Sequence, residues 1–445
     1  MQITFLCDLL NQISSQPWSL KPDSRGPVLL STTCWWPFLA RFAQLLAQAG
    51  CRVAVLCPPG HPVRAVPGVT VLEQRAFHPT QALSAAIAAC QPTLVIPADD
   101  RAVTDLHRLH QTGSDAERRL VERSLGSPHG YPVTTSRLRL LALARRLDIP
   151  VPDDQAIATP ADLDAWIART PGPWVLKVDG SWAGAGVQIA ATRRQAHAAF
   201  DALSHQVNGG VALTRMLVNR DPFSAADWLR RKPQQVSAQR HVSGWPGNLA
   251  MLCRGGEVLA ASVAEAVACG GATGPSTIIR LVDRPEFVEG ARRLAHELRL
   301  AGCYGLDFMV EEATGRALLI ELNPRLTPLS NIRIDAARDL VGAVVAVLTG
   351  AACAPPAARP GNGLVAHFPS AWQWHGNDPR LAACFQDVPW DEPALMAEML
   401  RPGWPERPLL ARMESGSRRL VRRARARLRA RKAAESKLVL EKLPQ

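Results

Sequence analysis

The stretch that most limits what this chain can become is residues 305–328, GLDFMVEEATGRALLIELNPRLTP. Two apolar, β-prone runs flank a polar segment that contains Gly315, the pattern of a β-hairpin. With the turn centred near Thr314, Asp307 on the first strand falls opposite Glu321 on the second, each acid set among Leu306, Phe308, Ile320 and Leu322. Directly opposed residues stand about 5 Å apart at Cβ, so two ionised carboxylates there repel unless a cation lies between them. Asn323, two residues beyond Glu321, shares its face because side chains alternate along a strand, and it adds a neutral oxygen donor. An all-oxygen set suits a hard divalent ion such as Mg²⁺, with Mn²⁺ as the alternative, and such an ion usually holds substrate phosphates as well.

The run Glu321-Leu322-Asn323-Pro324-Arg325, with Asp307 on the partner strand, resembles the metal-binding signature of the ATP-grasp superfamily, near its carbamoyl-phosphate-synthetase and biotin-carboxylase-like branch. The resemblance extends over most of residues 1–350, with the motifs in the family's order. It implies a fold of α/β and α+β character: an open parallel-sheet pre-ATP-grasp domain, a two-lobed ATP-grasp domain and a small C-terminal extension. On this reading the divisions are 1–115, 116–350 with a small lobe at about 150–240, a linker and Trp/Pro-rich cap at 351–410, and a basic tail at 411–445.

Local patterns agree with the first of these divisions. Residues 27–31 read as an apolar strand, 37–49 as a helix stopped by Gly50, 51–57 and 69–72 as strands, 81–90 as an Ala-rich helix, and 93–100 as a strand whose acidic end opens another helix. Strands alternating with helices indicate a parallel sheet covered on both faces. Ligands bind such sheets at the strand-end loops, here around residues 32–36 and 98–101. The bland reading of the same residues is that Trp35 and Trp36 pack and Asp99 caps a helix.

The resemblance also assigns the nucleotide contacts, and it departs from the family at two of them. Arg137, opening a helical pattern that ends near Pro150, takes the place of a lysine that touches the nucleotide phosphates; it keeps the charge but presents a planar fork. Its structural alternative is a solvated helix residue. Residues 174–179 read as a strand followed by glycines at 180, 184 and 186 and by Val187. A glycine loop alone is a weak signal, but here it resembles the flexible loop that closes over ATP, with Lys177 as the strand lysine on the phosphates. At the adenine-binding linker, Gln239 replaces an acid and can accept from the adenine amino group through its carbonyl, with backbone groups around His241 and Val242 beside it. Asn248 is the nearest candidate for the ribose. Arg325 is the residue assigned to steady an acyl phosphate or transferring phosphoryl group, because its fork matches oxyanions.

Composition matters here for what it excludes. Hydrophobic residues make up 47% of 445, no apolar run reaches transmembrane length, and residues 1–12 lack a basic segment ahead of an apolar core, so a cytoplasmic location is the expectation. Ten cysteines occur without a CxxC pair or zinc-finger spacing and read as buried thiols. Residues 401–445 hold 14 Lys or Arg against 4 Glu, a net +10 of the chain's +12, so the body of the protein is close to neutral. The arginine run at 417–432 reads either as a solvated helix or as a weak contact for an anionic membrane, nucleic acid or an acidic partner. No Walker A pattern and no G-x-S-x-G elbow occurs.

Two functions follow as expectations. The first is an ATP- and Mg²⁺-dependent carboxylate-amine ligase acting on small-molecule substrates, with Arg325 and Lys177 in catalytic roles and Asp307, Glu321 and Asn323 on the metal. The second is a nucleotide-binding scaffold or regulatory subunit, suggested by the replacements at Arg137 and Gln239.

Overall fold

In the computed structural model of the protein, the structure describes residues 26–179, 186–204, 229, 235–271, 273–333, 338–351, 362–376 and 378–401. Gly180, Gly184 and the basic tail at 411–445 lie outside the described residues.

The first sheet is parallel, in the order β3-β2-β1-β4, and comprises β1 (Val28–Ser31), β2 (Val53–Cys57), β3 (Val69–Glu73) and β4 (Leu94–Pro97). β1, β2 and β4 are buried along their whole length, as continuous apolar runs between two helical layers should be. Those layers include α1 (Pro37–Gln48), α2 (Pro79–Cys90), α3 (Asp100–Thr112) and α4 (Asp115–Leu125). Asp99 does cap α3: its carboxylate accepts from the Arg101 and Ala102 amides at 3.0 Å, and also from Thr32 Oγ1 at 2.8 Å and the Thr33 amide at 2.6 Å. One side chain therefore fixes the loops after β1 and β4 to each other.

After α5 (Arg137–Arg146) comes an antiparallel sheet in the order β5-β8-β6-β7, made of β5 (Asp154–Ile157), β6 (Trp174–Val178), β7 (Val187–Ala190) and β8 (Val236–Arg240). Helices α6 (Pro160–Arg169) and α7 (Arg193–Ser204) cover it, with Leu163, Trp166 and Phe200 packed against Leu176 and Val178.

The third sheet has seven strands in the order β13-β12-β9-β10-β11-β14-β15: β9 (Gly244–Arg254), β10 (Glu257–Cys269), β11 (Ser276–Leu281), β12 (Gly302–Glu311), β13 (Ala317–Asn323), β14 (Leu364–Ala366) and β15 (Phe385–Gln386). Beside the hairpin β12–β13 lies α8 (Pro285–Leu298), whose buried Phe287, Ala291, Leu294 and Leu298 recur at helical spacing. Phe287 stacks on Phe308 of β12 at 4.1 Å between ring centroids. Further helices include α9 (Leu340–Thr349), α10 (Ser370–His375) and α11 (Pro393–Leu400). The first and third sheets share a core: Leu326, Val341 and Val344 cluster with Leu30, Leu39 and Ile96, and Leu395 and Met399 of α11 join them. The Leu326 amide donates to Pro97 O at 3.0 Å, which places the segment after β13 at the carboxyl end of β4.

Register in the hairpin is as expected at the acids and differs nearer the turn. Asp307 pairs with Glu321 and Leu306 with Leu322, but Phe308 pairs with Leu319 rather than Ile320. A β-bulge takes up the extra residue, so the ladder is offset by one position between the acids and the turn.

Candidate functional site

The site is built where α5, the ends of β6 and β8, and β12–β13 converge. Asp307 and Glu321, brought face to face by the hairpin register, belong to it from opposite strands. Asn323 Nδ2 donates to Asp307 Oδ2 at 2.9 Å, and from the other side Asn248 Nδ2 donates to Asp307 Oδ1 at 2.6 Å. Asn248 is opposite Asp307 in the β9–β12 ladder, and its own oxygen accepts from Ser276 Oγ at 2.9 Å. Asn248, the ribose candidate of the sequence, thus has its amide nitrogen on the acid pair. At Asn323 the amide oxygen faces Arg325 Nη2 at 3.0 Å and the nitrogen faces the acid.

Arg137 is buried rather than solvated, its side chain 5% exposed. Nη1 donates to Asp179 Oδ1 at 3.1 Å and Nη2 to Glu321 Oε1 at 2.7 Å, so it bridges the end of β6 to β13. Its Nε is buried without a hydrogen-bond partner, a donor left for an anion. Lys177 is likewise buried, with Nζ 2.5 Å from Gln239 Oε1. The Gln239 carbonyl, expected to accept from an adenine amino group, lies on the lysine here, and its buried Nε2 donor is without a partner. His241 is half-buried and Val242 buried at the β8–β9 turn. Gly186 and Val187 stand at the start of β7, where Gly186 O accepts from Val178 N at 3.1 Å.

Arg325 reaches the first sheet. Its Nε donates to Asp100 Oδ1 at 2.9 Å, Nη1 to Leu326 O at 3.3 Å and Nη2 to Asn323, and its guanidinium carbon lies 5.3 Å from the centre of the Trp36 ring. The strand-end loops of the parallel sheet thus meet the hairpin at this arginine. A cavity of about 130 Å³ opens beside it, lined by Asp100, Arg137, Asp179, Glu321, Asn323 and Pro324 among others.

Four carboxylates (Asp100, Asp179, Asp307, Glu321) face three cations (Arg137, Lys177, Arg325), and their environments set them apart. Burial pushes the carboxyls of both hairpin acids up. At Glu321 the Arg137 guanidinium and Lys177 ammonium outweigh burial and hold the group below its ordinary value, whereas at Asp307 the Glu321 charge adds to burial and carries it up. Burial, with Arg137 nearby, lowers Lys177 to about 8. Asp307 is therefore a carboxylate whose hydrogen-bond partners are neutral amides, next to a second acid. That donor set, all oxygen with negative charge in excess, fits a hard divalent cation. Among the described residues no group of three or more His, Cys, Asp or Glu is placed to hold a metal ion together.

Asp179 and Ser276 were not assigned to this site from the sequence, Asp100 entered only as part of the strand-end loop at 98–101, and Asn248 only as a ribose candidate. Asp100 opens the helix that follows the parallel strand β4, a position that marks ligand loops in α/β sheets, and Asp179 directly follows β6, but Asn248 and Ser276 meet Asp307 only through pairing between distant strands.

The arrangement of a parallel α/β sheet beside two further sheets, with the acid pair at the end of the hairpin, can be compared with known proteins. Residues 142–328 match the model of the ATP-grasp domain; the chain carries an ATP-grasp domain. Similar solved structures include the carboxyaminoimidazole ribonucleotide synthase of Aspergillus clavatus complexed with ATP (13% identity, TM-score 0.54, 76% of this chain and 78% of that one). Others are the biotin carboxylase of Campylobacter jejuni (12%, 0.52, 74% and 72%) and the L-amino acid ligase of Bacillus licheniformis (12%, 0.50, 73% and 75%). Identities this low establish a shared fold. No curated protein sequence matches the chain. Among the described residues no helix is long and apolar enough to cross a membrane.

Proposed function

We propose that the protein is an ATP- and Mg²⁺-dependent ligase that activates a carboxylate as an acyl phosphate and joins it to an amine, releasing ADP and phosphate. The observation that carries this reading is the Asp307–Glu321 pair, set in register across the hairpin with Arg137, Lys177 and Arg325 around it. The solved structures of the same fold include two ligating or carboxylating enzymes and an ATP-bound synthase, which supports the class of reaction.

Asp307 and Glu321 would hold Mg²⁺, or Mn²⁺ in its place, with Asn323 supporting Asp307 through its amide. A bound divalent ion supplies neutralisation of the phosphate charge that builds up during transfer. Arg137, through its unpartnered Nε, and Lys177 would orient the phosphates, with the backbone around Gly186 and Val187 above them. The Gln239 Nε2 donor and the backbone at His241 and Val242 would meet the base. Three of the five N–H donors of Arg325 are engaged within the protein, and two remain for an oxyanion of the acyl phosphate. No protein nucleophile is required, because positioning and charge compensation do most of the work in phosphoryl transfer.

Glu321→Gln should abolish ADP release from ATP in the presence of mixed carboxylates and amines while leaving the melting curve of the protein cooperative; turnover equal to wild type would defeat the assignment. One observation favours the scaffold reading instead: Arg137 and Lys177 are already partnered by Glu321 and Gln239. It predicts ATP binding without ADP formation on any substrate pair, which the same assay detects.

A further inference from the structure

We propose that Asp100 holds the amine nucleophile as its ammonium ion and takes the proton that the amine must lose before it attacks. This rests on the ligase reading above and adds to it the seat of the second substrate.

Asp100 is the first residue of α3, in the short loop-to-helix step after β4, and it lines the cavity beside the hairpin. Its neighbour Asp99 has the structural task there, its carboxylate consumed by the α3 cap and by Thr32 and Thr33. Asp100 has no such role. Its Oδ1 accepts from Arg325 Nε at 2.9 Å, its Oδ2 takes no hydrogen bond among the described residues, and its side chain is 29% exposed against 11% for Arg325. A second carboxylate oxygen thus stands open to the cavity immediately beside the arginine assigned to the acyl phosphate.

The charge of the cavity wall suits a cation at that position. Asp100, Asp179 and Glu321 line it against the single guanidinium of Arg137, which is bonded to the latter two. The unpartnered Nε of that nine-tenths-buried Arg137 independently marks an anion position in the same cavity. The cavity therefore has an anion position at Arg137 and a cation position at Asp100, whose other carboxylate oxygen is held by Arg325.

In the step itself the ammonium gives one proton to the Asp100 carboxylate, and the freed nitrogen lone pair attacks the acyl carbon. The C–N bond forms, the C–O bond to phosphorus breaks, and phosphate departs with that electron pair. The second nitrogen proton leaves with phosphate or water.

The test separates nucleophiles by charge. The full-length protein is assayed with ATP, Mg²⁺ and a panel of amino acids and short dicarboxylates, once with cationic amines and once with hydroxylamine, which is uncharged at neutral pH and traps acyl phosphates as hydroxamates. Asp100→Asn should lower amine ligation about 100-fold, the span of a lost general base, with a raised KM for the amine and a far smaller loss in hydroxamate formation. Asp100→Glu should recover part of the ligation. Equal losses with both nucleophiles, or amine ligation unaffected by Asp100→Asn, would overturn the proposal. A wild-type protein that yields neither hydroxamate nor ADP brings down the ligase reading, and this assignment with it.

Discussion

Lys177 shows at the level of one residue how function sets itself against stability. Its ammonium is buried against Gln239, and its folded-state value near 8 lies below the ordinary 10.5 because burial disfavours the charge. An unfolded chain thus binds this proton more tightly than the folded one. The lysine's contribution to stability is fully present above pH 10.5, falls away as pH drops toward 8, and stays lost below it. Lys177→Met should therefore melt higher, relative to wild type, at pH 7 than at pH 10.5, with a change of about 3 kcal/mol at most across that interval. ADP release should disappear in the same variant. Chemical denaturation of both proteins at several pH values measures the first effect; a gap that does not change with pH rules out the account. The residue types at this site were legible in the sequence, as was the opposition of Asp307 and Glu321, because the two-residue strand period and one turn determine it. The orientations of the Gln239 and Asn323 amides were not. They depend on Lys177 from another strand for Gln239, and on Asp307 across the hairpin and on the path of the chain through Arg325 for Asn323.

Among elements, the main joint is Arg137, which ties the first turn of α5 to the end of β6 and to β13. Removing one partner of a fully buried ion pair costs about 3–5 kcal/mol, but Asp179 and Glu321 each keep about a third of their side-chain surface exposed. Arg137→Ala should accordingly cost about 2 kcal/mol. Because the lost charge lies on Glu321, millimolar Mg²⁺ should restore part of that stability in the variant. Thermal melts with and without chelator decide it, and a variant insensitive to Mg²⁺ would detach Glu321 from the metal role. Element types followed from periodicity for the strands and helices around this joint. The β-bulge after Asp307 did not, since a bulge is chosen by packing on both neighbouring strands rather than by the hairpin's own pattern.

Across the whole molecule the hairpin is locked to the first sheet's helical layer by close backbone approach. Tyr304 donates its hydroxyl to Leu125 O at 2.6 Å, and a Cβ on Gly302, at φ +86°, would stand 2.0 Å from Ser124 O. Gly302→Ala should thus cost about 3 kcal/mol or more, through both left-handed strain and collision. Gly315→Ala, with φ +66° and no neighbour within 4 Å of the added carbon, should cost only about 1 kcal/mol. Similar losses in denaturant melts of the two variants would show that the seam is not as tight as described. The sequence by itself determined the alternating α/β order, the paired acids and the glycine and arginine positions, because these depend on residue type and short-range spacing. Only the tertiary structure decided that Arg325 meets Asp100 and Trp36, that Asn248 and Ser276 stand behind Asp307, and that Arg137 bridges two acids. Arg325 and Asp100 are 225 positions apart, and Arg325 and Trp36 farther still; no local periodicity encodes which distant strand ends will meet.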